Sequence, residues 1–197
     1  RAYRYVLYQQ LLQIISTINC GMQKKIKILA ISGSLRNNSS NHKIIKVIAS
    51  LAPVGIGVNV YDGLGKLPHF DDEEYDSVNE WRKALKEADG VFICTPEYAF
   101  GVPGSLKNAL DWTVSSAEFY EKPVALITAS SVGDKGHASL LQTLSALTAT
   151  MTEETKLLIP FIRSKFNESG ELDETTTQLL LKVLMALTGI IKQNRNG

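Results

Sequence analysis

"IKILAISGSLRNNSSNHKIIKVIASLA", residues Ile26 to Ala52, decides the fold. Its opening, Ile26–Ser32, is apolar with little alternation, as a strand covered on both faces should be. Its close, Asn41–Ala52, sets Ile44, Ile45, Ile48, Ala49 and Leu51 at helical spacing, and Pro53 stops the helix. Between them "GSLRNNSSN", Gly33–Asn41, is given over largely to hydroxyls, amides and a single arginine. A strand that feeds a helix through so short a polar loop is the first half of a crossover unit.

Working outward, the same alternation recurs. Strands are predicted at Ile56–Asp62, Gly90–Pro96, Lys122–Ser130 and Thr155–Pro160. Helices are predicted at Ser77–Ala88, where Val78, Trp81, Leu85 and Ala88 share a face, and at Gly104–Ser116, with Pro103 at its start. Two more are predicted at His137–Thr150 and Asp173–Gln193. Five strand–helix pairs with short connections require right-handed crossovers and a parallel sheet. The expected architecture is α/β: a three-layer, doubly wound sandwich around a five-stranded parallel sheet.

One domain, 22–197, is expected to carry this fold, and 197 residues suffice for it. Residues 1–21 read as an extension outside it: Gln9, Gln10 and Gln13 break the apolar run that an export signal needs, and Asn19 sits before Cys20 where a small residue is wanted. Met22 then reads like a protein start. With 44% hydrophobic and 21% charged residues and a net charge of +1, the chain lacks the footprint of a nucleic-acid binder or a polybasic membrane patch. No stretch reads as a membrane span. Cys20 and Cys94 make no CxxC pair and no zinc spacing, so a reducing cytoplasm is expected.

Ligands in such sheets sit beyond the carboxyl ends of the strands, where strand order reverses; if the order is 2-1-3-4-5, that point lies between the first and third. That directs attention to Gly33–Asn41 and to "TPEYAFGVPGSLKNALDW", Thr95–Trp112. The first loop also precedes a helix N-terminus, whose free N–H groups and partial positive charge suit phosphate. Ser34, Ser39, Ser40 and Asn41 add side-chain donors, and Arg36 a guanidinium fork. A plain helix cap at Ser40 or Asn41 is the competing reading, and it explains one residue rather than five. Other phosphate motifs fail: there is no GxxxxGK[ST], "GLG" at Gly63–Gly65 lacks its third glycine, and the first strand ends in Ile31 and Ser32 rather than in magnesium-binding acids.

These residues carry a resemblance. "GSLRNNSSN" after the first strand, "PEYAFGVPGSLKNALDW" after the third, and the flanking "LPHFDDE" and "ADGVFICTP" resemble the NADPH-dependent FMN reductase family, flavodoxin-like proteins that include azo-, chromate and quinone reductases. The resemblance implies that Ser34, Arg36, Ser39 and Asn41 surround the FMN phosphate, with Ser40 contributing backbone. It implies that Pro96, Glu97, Tyr98, Phe100 and Gly101 form the loop against the isoalloxazine ring. Ala99 stands where the family has asparagine, which bears on ring tuning. In "ASSVGDKGH", Ala129–His137, the small residues Ser130, Ser131, Gly133 and Gly136 suit a turn along the flavin edge.

The activity implied by the resemblance is that of an oxidoreductase, which takes hydride from NADPH or NADH into bound FMN and passes electrons to a small-molecule acceptor: a quinone, azo compound, free flavin or metal oxyanion. No catalytic side chain and no metal are required of the protein. The resemblance implies a homodimer or homotetramer, and the charge balance of +1 speaks against a nucleic-acid or membrane partner. Two other classes stay open: a flavodoxin-type electron carrier without NAD(P)H turnover, against which +1 argues because carriers are usually strongly acidic, and a flavin-free module of the same fold. His42, His69 and His137 are scattered, and His137 is the best placed to act near the opening. "DDEE", Asp71–Glu74, reads as a solvated face, Cys94 as core, and Trp81 and Trp112 as helix cover, with a subunit boundary the other option for Trp112.

Overall fold

The structure, a computed structural model, describes residues 25–71 and 73–196. The extension 1–21, with Cys20, lies outside the described residues, as does Asp72. Five parallel strands, β1 (Ile26–Ser32), β2 (Ile56–Tyr61), β3 (Gly90–Thr95), β4 (Val124–Ala129) and β5 (Lys156–Ile159), form one sheet in the order β2-β1-β3-β4-β5. Register is set by pairs such as Ile28 with Gly90 and Ile93 with Leu126. The helices are α1 (Ser40–Leu51), α2 (Asp76–Glu87), α3 (Gly104–Asp111), α4 (Asp134–Ala146) and α5 (Glu174–Asn196).

The missing polar–apolar alternation in the strands has a direct cause. Successive side chains point to opposite faces, and in the inner strands β1, β3 and β4 both faces are covered. Ile28, Ala30, Phe92 and Ile127 pack with Ile44, Ile45 and Ile48 of α1 and Leu180, Leu184 and Leu187 of α5. Leu29, Ile31, Val91, Ile93 and Leu126 pack with Trp81 and Leu85 of α2, Leu106 and Leu110 of α3, and Leu140 and Leu144 of α4. Each fully buried side chain of this size contributes about 1.5–3 kcal/mol. Val78, Trp81, Leu85 and Ala88 all lie inside, while Ala49, placed on the inner face of α1 by its spacing, is exposed.

Three expectations are corrected. The third helix ends at Asp111 rather than Ser116: the Thr113 hydroxyl donates to the Leu110 carbonyl at 2.7 Å, and the chain tightens into three-residue turns. The fourth begins at Asp134, three residues before His137, so Gly136 is helical. Finally, the 23-residue α5 is long and apolar enough by composition to cross a bilayer, against the reading that no such stretch exists. Its apolar residues Leu180, Val183, Leu184, Leu187 and Ile191 are instead buried against the sheet.

Candidate functional site

The polar loop after β1 is built by its own serines. The Ser32 hydroxyl donates to the Ser34 carbonyl at 3.0 Å and accepts the Ser34 amide at 3.3 Å. The Arg36 amide donates to the Ser34 hydroxyl oxygen at 3.3 Å. Gly33 passes so close to β3 that a Cβ there would lie 2.1 Å from the Thr95 hydroxyl oxygen, and its amide donates to the Cys94 carbonyl at 2.8 Å. Only glycine fits this crossing.

The cap of α1 is Ser39, not Ser40 or Asn41. Its hydroxyl oxygen accepts the His42 amide at 3.2 Å and lies 2.8 Å from His42 Nδ1. Among the described residues the amides of Ser40 and Asn41 have no acceptor, as expected for a first helical turn. No acid stands in that turn. Asn41 also makes core contacts: its side-chain amide donates to the Ala129 carbonyl at 3.4 Å, and its side-chain carbonyl oxygen accepts from Cys94 Sγ at 3.2 Å. It therefore stitches the helix to β3 and β4. Cys94 is buried, and burial pushes its thiol pKa well up, which makes it packing rather than a nucleophile.

The loop after β3 folds back on itself. Tyr98 and Gly101 exchange both backbone hydrogen bonds, at 3.0 and 2.9 Å, around Ala99 (φ 48°) and Phe100 (φ 60°). Two consecutive left-handed residues define a turn that ordinarily takes Asn-Gly. Ala99 in the family's asparagine position thus bears on backbone strain, since asparagine tolerates this region and alanine does not. The Tyr98 hydroxyl lies 3.3 Å from the Ser34 hydroxyl and joins the two loops. Glu97 turns its carboxylate away to the third residue of α4, accepting the Gly136 amide at 2.6 Å. A Cβ on Gly136 would sit 3.0 Å from Glu97 Cγ, so a small residue makes room for this contact.

Between these loops and the exits of β4 and β5 lies a cleft of about 510 Å³, within the range of small-molecule sites. It gathers Ser34, Arg36, Ser39, Ser40, Asn41, Pro96, Glu97, Tyr98, Ser130 and Ser131. Four other expected residues, Phe100, Gly101, Gly133 and Gly136, are not in its lining. Phe100 stands 77% exposed at the tip of its turn, Gly101 closes that turn, and Gly133 is buried at φ 100° ahead of α4. The lining adds residues that sequence reasoning missed: Asn38, Ala129 and the turn Phe161–Ser164. Asn38 lies inside the polar-loop motif and is readable there, whereas the Phe161–Ser164 turn reaches the cleft only through the sheet.

His137 is not at the opening. It leans on β4, with Nδ1 2.8 Å from the Thr128 hydroxyl, and burial, then nearby Lys156, lowers its pKa. Trp112 is interior: its indole N–H donates to the Pro68 carbonyl at 3.0 Å and its ring meets Phe70 and Tyr75 edge-on. Asp71 of the acidic run accepts the Glu73 amide and the Tyr75 hydroxyl and so closes its own turn.

A glycine crossing over a polar loop, a helix start stripped of acids and a backbone-defined turn beside it describe a nucleotide-type cleft on a doubly wound sheet. Comparison with known proteins agrees. The family described as NADPH-dependent FMN reductase matches residues 26–162. An NAD(P)H-dependent FMN reductase of Pseudomonas aeruginosa is 33% identical over 178 residues, covering 84% of this chain and 95% of that one. A quinone reductase of Escherichia coli is 32% identical over 177 residues, covering 80% and 94%. Among solved structures, the flavoenzyme NAD(P)H:(acceptor) oxidoreductase FerB of Paracoccus denitrificans superposes with a TM-score of 0.76 at 27% identity, covering 85% and 98%. The chain belongs to the NADPH-dependent FMN reductase family, and it is an NAD(P)H- and FMN-dependent oxidoreductase.

Proposed function

We propose that the cleft holds FMN with its phosphate at the start of α1 and delivers electrons from NADPH or NADH to a flat, apolar acceptor, a quinone before an azo compound. The donor set supports this. The free amides of Ser40 and Asn41, the hydroxyls of Ser34, Ser39 and Ser40, and the Arg36 guanidinium converge on one cleft. Among the described residues the one lining carboxylate, that of Glu97, is engaged by Gly136. Such donors match a phosphate dianion, and charge-assisted bonds are the strong ones.

Bound FMN would supply hydride acceptance and electron delivery, chemistry no side chain here offers. The protein binds and orients. Pro96, Glu97 and Tyr98 line one side of the cleft, held by the Tyr98–Gly101 turn with Phe100 at its tip. Ser130 and Ser131, followed by Gly133, form the other, with Ser130 accepting the Glu97 amide at 3.2 Å. Exposed Tyr98, Phe100 and Phe161 near the mouth suit stacking on planar, conjugated acceptors. Nicotinamide and acceptor would use the same opening in turn, a ping-pong sequence. The reading includes a homodimer or homotetramer, supported by the exposed Leu35, Tyr98, Phe100 and Phe161, and a cytoplasmic setting, supported by the free thiol of Cys94.

The observation that carries the reading is the acid-free start of α1, opening into the same cleft as the β3–α3 loop. Steady-state NADPH oxidation with FMN-loaded protein and a benzoquinone tests it. Parallel initial-rate lines across quinone concentrations are expected. Negligible turnover with flavin visibly bound would point to an electron carrier instead.

A further inference from the structure

We propose that Arg163 is a second guanidinium of the phosphate cradle, facing the start of α1 from the β5 side, and that it makes the cleft prefer phosphorylated over unphosphorylated flavin. The inference rests on the reading of the cleft as an FMN site.

Arg163 lies far along the chain from the polar loop, and the family match stops one residue before it, at 162. The fold brings it to the same cleft as Arg36, Ser39, Ser40 and Asn41. Its place is held by backbone. The Phe161 amide donates to the Ser131 carbonyl at 3.1 Å and the Ile162 amide to the Ser130 carbonyl at 3.1 Å, so the turn is sewn to the loop that lines the cleft. Ile162 is buried in the core, the Ser164 hydroxyl donates to the Phe161 carbonyl at 2.8 Å, and Phe161 is held at φ 52°. A bulky residue persists in that conformation only where its surroundings impose it.

Charge points the same way. Among the described residues neither Arg36 nor Arg163 is ion-paired, and the lining carboxylate is spent on Gly136. Nearby Lys43 lies over the Phe166 ring, 5.2 Å from its centre. Two forks free of carboxylates across one cleft fit a dianion with three peripheral oxygens, the second fork adding charge that the neutral amides and hydroxyls of the cradle do not supply. Riboflavin, which lacks the phosphate, gives Arg163 nothing to hold.

The test titrates the wild-type chain, Arg163→Ala and Arg163→Lys separately with FMN and with riboflavin, following flavin fluorescence at fixed ionic strength. Arg163→Ala is expected to weaken FMN roughly tenfold or more, the usual effect of losing one charge-assisted contact, with riboflavin affinity and thermal midpoint unchanged. Arg163→Lys should fall between, since it keeps charge but not the fork. Unchanged FMN affinity in Arg163→Ala, equal weakening of both flavins, or a change confined to NADPH-over-NADH preference would each overturn the role, the last assigning the arginine to a nicotinamide phosphate. A wild-type chain that binds no FMN would overturn the cleft reading itself, an outcome distinct from a variant without effect.

Discussion

The Glu97 carboxylate accepts the Gly136 amide at 2.6 Å and so ties the loop after β3 to the first turn of α4. A carboxylate at a helix N-terminus satisfies an orphan donor and complements the helix dipole. The glutamate of the resembling motif is thus a brace for the wall of the cleft. Glu97→Ala should lower stability by about 1–3 kcal/mol and weaken FMN binding, whereas Glu97→Gln, which keeps an acceptor, should retain most of both. Thermal unfolding and flavin titration of the two variants check this.

Gly33 is where loop and sheet come closest. Gly33→Ala forces a Cβ to within 2.1 Å of the Thr95 hydroxyl oxygen and 2.7 Å of its Cβ. Backbone must move, at a cost of about 1–3 kcal/mol, and the loop that presents Ser34 and Arg36 moves with it. The expected outcome is folded protein that purifies colourless and takes up added FMN poorly, read by absorbance.

Ala99 and Phe100 hold a turn that disfavours both. Ala99→Asn should raise stability by about 0.5–1 kcal/mol, because asparagine accepts the left-handed region that costs alanine about 1–2 kcal/mol. For a chain of this size that is roughly 1–4 °C in Tm, measurable by calorimetry.

His137 gives the protein a pH dependence with a definite sign. Its pKa is lowered in the fold, chiefly by burial and then by Lys156. Above the ordinary histidine pKa both folded and unfolded chains are neutral there. As pH falls through that value the unfolded chain takes up the proton first, so stability drops. His137→Asn, which leaves an acceptor near the Thr128 hydroxyl, should flatten this part of the profile. Thermal midpoints between about pH 7.5 and 5.5 compare the two.

The strands are legible in the sequence because apolar runs, covered on both faces in β1, β3 and β4 and bounded by Gly90, Pro53 or Pro160, leave little choice of period or length. The polar loop and the Thr95–Trp112 stretch are legible because their residue types are wasteful in any other place. Side-chain commitments are not. Ser39 rather than Ser40 or Asn41 caps α1, and Asn41 turns into the core toward Cys94; both depend on which of three adjacent polar residues meets the sheet. The start of α4 is hidden because the acceptor at its first turn comes from Glu97, remote in sequence. Phe161–Ser164 reach the cleft through the backbone bonds that follow β5, and their composition carries no signal of it.

In the proposed function, phosphate recognition at the opening of α1 underlies binding, orientation and turnover alike. Its most direct test is the FMN dissociation constant of the wild-type chain against that of the double variant Arg36→Ala, Ser39→Ala. Visible flavin binding by the wild type is predicted, with a loss of roughly a hundredfold or more in the double variant, from one guanidinium and the capping hydroxyl together. Equal affinities in the two proteins would contradict it.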